Sequence, residues 1–134
     1  MKKKAFEPEL ESINKIQTFV RANLAESGCA PEKLFKIDLI IEELIVNIIK
    51  HGFKTVEKGA ITVAMETADK TAVLKIRDNG IPFNPLQAEA PDVHLPLEKR
   101  APGGLGIYMV KQMAKEIHYS HEAGENRTRL LLPL

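Results

Sequence analysis

Cysteine is almost missing from this chain: Cys29 stands alone among 134 residues. An internal disulfide framework and a cysteine-based zinc cluster are therefore excluded. Tryptophan is absent and aromatic residues reach only 5%, which argues against a stacking platform for single-stranded nucleic acid. No sign of charge dominates, since 19 Lys and Arg stand against 18 Asp and Glu for a formal net charge of +1. That balance rules out a strong global field for nucleic acid or membranes. No apolar run is long enough to span a bilayer. Lys2, Lys3 and Lys4 follow Met1, but no apolar segment comes next, so no signal peptide is expected. These absences fit a reducing, cytoplasmic setting. What is present is a chain of one domain's length with 44% hydrophobic residues, enough for a packed core.

Periodicity predicts the elements. Leu10, Ile13, Ile16, Val20 and Leu24 recur at helical spacing over residues 9–26, and Ser27-Gly28 ends that helix. A second helix is expected over 31–51, with Pro31 in its first turn, Glu32 at its positive end and Gly52 as its stop. Leu34, Ile37, Ile41, Leu44, Ile45 and Ile48 form a wide stripe on it, so it should be deeply buried. Residues 60–67 and 71–78 alternate and read as two strands turned at Asp69-Lys70. Residues 79–102 hold five prolines and little period; loops of that length in compact domains are usually functional. A helix is expected over 104–117, with Ile107, Val110, Ala114 and Ile117 inward. A strand pair, 118–123 and 127–133, follows and turns at Gly124-Glu125-Asn126. Strand pairs beside helices, without regular βαβ alternation, indicate an α+β layer with helices on one face of a mostly antiparallel sheet.

Three segments carry chemistry. In Glu42-Glu43-Leu44-Ile45-Val46-Asn47, Glu43 and Asn47 are four residues apart and share a helix face. An acid and an amide offer oxygen ligands to a hard cation such as Mg²⁺, or Glu43 offers a base for a hydroxyl proton; alternatively both stand in solvent at the stripe's edge. Asp78-Asn79-Gly80-Ile81-Pro82-Phe83-Asn84-Pro85 closes a strand. Asp78 there can present a carboxylate to an exocyclic amine such as adenine's, while a plain turn accounts for the same residue types. Gly103-Gly104-Leu105-Gly106 opens a helix, where backbone N–H groups and the positive dipole end suit phosphate. No Lys-Ser or Lys-Thr follows, so this is not a P-loop, and no strand directly precedes it, as a dinucleotide fingerprint requires.

Taken in order, these segments resemble the GHKL ATPases, the class of gyrase, histidine kinases and the mismatch-repair ATPase. Within that class, the size and the run from Asp78 to Pro85 look like the bacterial anti-sigma factor serine/threonine kinases. The resemblance implies a two-layer α/β sandwich of the Bergerat type, with helices packed on one face of a mostly antiparallel mixed sheet, as a single domain over 1–134. It implies ATP and Mg²⁺ as cofactors. Asn47 would coordinate the Mg²⁺ that bridges the phosphates, and Glu43 would be the general base. Asp78 would bind the adenine amino group and Gly80 would keep that turn open. Gly103, Gly104, Leu105 and Gly106 would frame the phosphates, under a lid at about 84–102. Lys99 or Arg100 is the candidate for the γ-phosphate by its place in that lid, with no matched family position behind it. The implied partners are an anti-anti-sigma (STAS) protein as substrate, a sigma factor, and a second copy in a homodimer, with neither nucleic acid nor membrane.

The chain departs from the class pattern in two places. Pro82 stands where the wider class often has a second glycine, which argues against gyrase-like members, and Asn84 stands where many relatives have Asp. The usual leading strand must lie within Lys3–Phe6 or be short. The leading expectation is a protein serine kinase; the alternatives are a non-catalytic nucleotide-sensing module and an α+β interaction domain without nucleotide. The remaining candidates have quieter readings. His118 and His121, three apart on a strand, face opposite sides and form no metal pair. His51 suits a helix end, His94 has no assigned role, and Cys29 fills a small apolar space.

Overall fold

A computed structural model describes residues 1–53, 58–87 and 105–134. The chain opens with strand β1 (Lys2–Phe6), then helices α1 (Ser12–Glu26) and α2 (Pro31–Asn47). A π-helical turn, Ile48–Gly52, extends α2. Strands β2 (Ile61–Ala68) and β3 (Thr71–Asp78) follow, then a short 3₁₀ turn, Pro85–Gln87. Helix α3 (Leu105–Met113) and strands β4 (Glu116–Glu122) and β5 (Glu125–Pro133) complete the chain. The strands form one sheet in the order β1-β2-β3-β5-β4. The expected two-layer α+β arrangement is present, and all four described pairings are antiparallel rather than mixed. Among the described residues, no helix is long and apolar enough to cross a membrane.

Alternation sets the inner face of the sheet. Ile61, Val63 and Met65 of β2, Ala72, Leu74 and Ile76 of β3, and Leu130 and Leu132 of β5 are all buried. They meet Ile16, Val20 and Leu24 of α1, Ile107 and Val110 of α3, and Ile37, Ile40, Ile41, Leu44 and Ile45 of α2. Helix α2 packs against both other helices, which is why its apolar stripe is so wide. The strand expected at 71–78 falls on those residues, and Asp69 and Lys70 form its turn with φ of 49° and 63°. Both central residues of a tight hairpin turn of the mirror-image type need positive φ.

Three boundaries differ from the sequence reading. Residues 7–11 form a turn before α1, with the Ser12 N–H bonded to the Glu9 carbonyl at 3.0 Å, so Leu10 is exposed rather than inward. Helix α3 ends at Met113 instead of running to 117. Lys115 N–H donates to the Leu131 carbonyl at 2.8 Å, and Glu116 and Ile117 register with Leu131 and Leu130. Sheet pairing overrides the local helical period there, and Ile117 is 38% exposed. The last turn sits earlier than expected, at Ala123 and Gly124 (φ 52° and 77°), so Asn126 lies within β5.

Gly106 fixes how closely α3 approaches α2. A Cβ at this position would overlap the Cβ of Glu43 and stand 2.7 Å from the Leu39 carbonyl oxygen. No rotamer relieves a clash with helix backbone. Gly106→Ala should therefore destabilise the fold by about 1–3 kcal/mol, the usual scale of overpacking, read as a lower urea midpoint with an unchanged slope. An unchanged midpoint would show that α3 is free to move off α2.

Candidate nucleotide-binding site

The inner faces of β3 and β5 begin as hydrocarbon and end as polar groups. Counting by twos from Ala72 along β3 leads to Asp78, and counting back from Leu132 along β5 leads to Thr128 and Asn126. Asp78 and Asn126 are direct cross-strand partners. They are only 3% and 1% exposed. Asn126 Nδ2 donates to Asp78 Oδ1 at 3.0 Å and to the Ile81 carbonyl at 2.8 Å. Its own Oδ1 accepts from Phe83 N–H at 3.1 Å and from the Tyr119 hydroxyl, with His121 Nδ1 at 3.2 Å. One amide thus ties the turn after β3 to strands β4 and β5.

Asp78 Oδ1 also accepts the Gly80 N–H at 3.0 Å. Both hydrogen bonds that Asp78 receives from the described residues fall on Oδ1, which leaves Oδ2 as the oxygen for a further donor. Burial pushes its carboxyl pKa above the ordinary value, while the bonds from Asn126 and Gly80 pull the other way. Gly80 is required by its neighbours: a Cβ would stand 2.5 Å from the Gly52 carbonyl oxygen. That carbonyl accepts Ile81 N–H at 2.9 Å, so the π-helical end of α2 is locked to the turn. His51 in the same π turn stacks its ring 4.7 Å from that of Phe83 instead of standing free at a helix end.

Glu43 and Asn47 lie one helical turn apart on α2, both half-buried. Asn47 Nδ2 is 3.5 Å from Glu43 Oε1, a long contact that places the two head groups on one face as their spacing predicts. A carboxylate and an amide oxygen are hard donors of the kind Mg²⁺ takes in small number, with phosphates and waters completing its shell. The donor set therefore fits that ion. Among the described residues no group of three or more His, Cys, Asp or Glu gathers around a metal-sized space. Gly106 meets Glu43 as well, so α2 links three of the sequence-selected segments: Glu43 and Asn47 directly, Asp78-Gly80 through Gly52, and α3 through Gly106. Leu105 opens α3. Gly103, Gly104, Lys99, Arg100, His94 and most of the expected lid lie outside the described residues.

The sequence profile of the histidine kinase-like ATPase domain matches residues 6–132. The chain belongs to that family. It is 28% identical over 96 residues to the serine/threonine-protein kinase BtrW of Bordetella bronchiseptica, covering 72% of this chain and 68% of that protein. It is 27% identical over 101 residues to the serine-protein kinase RsbW of Bacillus mycoides, covering 72% of this chain and 62% of that one. The RsbW of Listeria monocytogenes is 27% identical over 121 residues, covering 87% and 76%. The chain thus spans roughly two thirds of the length of these relatives. Two solved histidine kinase structures share the fold. The kinase domain of a blue-light activated histidine kinase from Erythrobacter litoralis matches with a TM-score of 0.51 at 18% identity, over 77% of this chain and 45% of that one. The histidine kinase AdeS of Acinetobacter baumannii matches with a TM-score of 0.51 at 14% identity, over 99% and 68%.

Within this histidine kinase-like ATPase domain, sequence reasoning selected Asp78 and Gly80 but missed Asn126, Tyr119 and His121. The signal for Asn126 was present in the parity of β5, where Leu130 and Leu132 are apolar and inward. Tyr119 and His121 meet it only through the β4–β5 register.

Asp78→Asn keeps an acceptor for Gly80 and Asn126 while removing the buried charge. With the native pKa of Asp78 raised, the folded wild type holds the proton longer than the unfolded chain does. The contribution of Asp78 to wild-type stability therefore falls as pH rises from the ordinary carboxyl value of 3.8 through the raised native one. The variant lacks that fall. Thermal melts from pH 3.5 to 7 should show Asp78→Asn gaining on wild type across that window and at least matching it at pH 7. A variant that loses ground as pH rises would show that hydrogen bonding, not burial, governs Asp78.

Proposed function

We propose that this chain is an ATP- and Mg²⁺-dependent serine/threonine protein kinase and anti-sigma factor, whose substrate is a small anti-anti-sigma (STAS) protein. The reading covers 1–134 as one domain with a lid at about 84–102, acting in the cytoplasm as a homodimer that also binds a sigma factor. The observation that carries it is the half-buried Glu43 and Asn47 pair on α2, on the same element that touches the Asp78-Gly80 turn through Gly52. The names of the BtrW and RsbW relatives support the protein-kinase class.

In this reading Asp78 Oδ2 accepts a hydrogen bond from the adenine amino group, while Oδ1 remains held by Gly80 and Asn126. Asn47 supplies its amide oxygen to the metal. Mg²⁺, when bound, neutralises charge on the phosphates. Glu43 accepts the proton of a serine or threonine hydroxyl as that oxygen bonds to the γ-phosphorus and the bond to ADP breaks. Gly103, Gly104, Leu105 and Gly106 offer backbone N–H groups to the phosphates, and Lys99 or Arg100 reaches the γ-phosphate. Phosphoryl transfer relies mainly on positioning and electrostatics, so a base, a metal ligand and a phosphate cradle form a sufficient set.

Purified chain, γ-labelled ATP and Mg²⁺ added to a lysate of the native host should label one small protein on an acid-stable phosphoester. Glu43→Ala should abolish that band without abolishing ATP binding. Label that persists in Glu43→Ala would remove Glu43 as the base. No label with ATP binding intact would favour the nucleotide-sensing module instead. Separately, Asp78→Asn presents a donor where adenine needs an acceptor. ATP affinity should fall by about 1–3 kcal/mol, the scale of an unsatisfied buried polar group, in calorimetry on the folded variant. Equal affinity would mean that adenine is read elsewhere.

A further inference from the structure

The outer face of the sheet, away from the helices, carries a charge pattern that the candidate site does not use. Lys75 lies directly across from Arg129, and Arg77 directly across from Arg127. Lys3 extends the band through β1, where it faces Ala64, whose β3 partner is Lys75. Like charges directly opposed on one face of a sheet are destabilising, and nothing in the packing of the inner face calls for them. Carboxylates offset only part of the band. Glu116 pairs with Arg129 at 3.1 Å, Glu122 and Glu125 with Arg127 at 3.3 Å, and Glu125 with Arg77 at 3.9 Å. Among the described residues no acid pairs with Lys75 or Lys3. These side chains border a depression of about 430 Å³ above Ala64 and Ser120.

We propose that this face is a docking surface for an acidic protein segment, whose carboxylates complete the ion pairs that Lys75 and Lys3 lack. A protein fits better than a nucleic acid for two reasons. Among the described residues no Phe, Tyr or Trp borders the depression, and His118 is its single ring, too little for a run of bases to stack on. Glu116, Glu122 and Glu125 interrupt the basic band, which repels a continuous phosphate backbone yet suits a protein surface of mixed sign. The proposal is independent of phosphate transfer, since the face lies on the opposite side of the sheet from Asp78 and α2.

The test uses the intact chain and a fluorescent polyglutamate peptide, followed by anisotropy at low and moderate salt. The peptide should bind, more weakly as salt rises. Lys75→Glu should weaken binding about fivefold or more. The same change replaces a repulsive cross-strand pair with an attractive one, so the melting temperature of the free protein should rise by about 1–4 °C. Lys36→Glu, on the exposed surface of α2, makes the same change in net charge and should leave binding within about twofold of wild type. Absence of peptide binding would overturn the proposal. So would an equal loss in Lys36→Glu, or tighter binding of a single-stranded or duplex oligonucleotide, or of phosphatidylserine vesicles, than of the peptide. A melting temperature that stays level or falls in Lys75→Glu would show that the opposed charges carry no strain, and would remove the basis of the proposal.

Discussion

The hydrogen bond between Asn126 and Asp78 is the constraint on which the rest of the site depends. A carboxylate that is almost fully buried is costly to desolvate, and here the first compensation comes from the strand directly beside it. The same Asn126 amide holds the Ile81 carbonyl, and its oxygen gathers Phe83 N–H and the Tyr119 hydroxyl. A single side chain therefore determines both the orientation of the acid and the path of the backbone leaving β3. Burial raises the pKa of Tyr119, which keeps its hydroxyl a donor. Networks of this kind are rigid when every member is satisfied and expensive when one is removed.

Helix α2 supplies the second half of the arrangement by the way it ends. The last carbonyls of a helix have no partner within it. Here the chain widens into a π turn over Ile48–Gly52, and the Gly52 carbonyl takes Ile81 N–H. That bond is possible only because Gly80 has no side chain. The α2 residues selected for chemistry are consequently in fixed relation to Asp78, although they belong to opposite layers of the fold. At the other side of Glu43, Gly106 lets α3 come within backbone contact. Two glycines that a motif reading assigns to ligands are also demanded by packing.

Features set by short-range rules were legible in the sequence. The β3 boundaries, the Asp69-Lys70 turn, the buried stripe of α2 and the Glu43–Asn47 face all follow from periods of 2 or 3.6 and from local turn preferences. Features set by pairing between distant segments were not. Residues 115–117 continue the helical period of α3, yet they are claimed by β5 through Lys115 and Leu131. Asn126 beside Gly124 looks like a turn residue, because Gly and Asn are common in turns. Its true place required locating the turn at Ala123-Gly124 instead of Gly124-Glu125-Asn126, and a register shift of one residue would have put it on the opposite face. The π turn has no sequence signature separate from a helix that stops at Gly52.

Composition concealed one property altogether. A net charge of +1 excludes a strong field from the whole molecule, but screening limits the reach of surface charge to about 10 Å at ordinary salt. At that range a partner meets one face of the sheet and not the average. Strand parity decides which charges appear together: the residues between Ala72, Leu74, Ile76 and Asp78 are Val73, Lys75 and Arg77, and those between Asn126, Thr128 and Leu130 are Arg127 and Arg129. The alternation that carries Asp78 and Asn126 to the inner face therefore necessarily assembles the basic residues on the outer one. An insertion of one residue in β5 between Asn126 and Leu130 would leave the Leu130 and Leu132 contacts in place, yet it would turn Asn126 to the outer face, away from Asp78. One inserted between Leu130 and Leu132, with Leu132 held in place, would turn over everything from Asn126 to Leu130, burying Arg127 and Arg129 and exposing Asn126. The two surfaces are thus coupled through a single register.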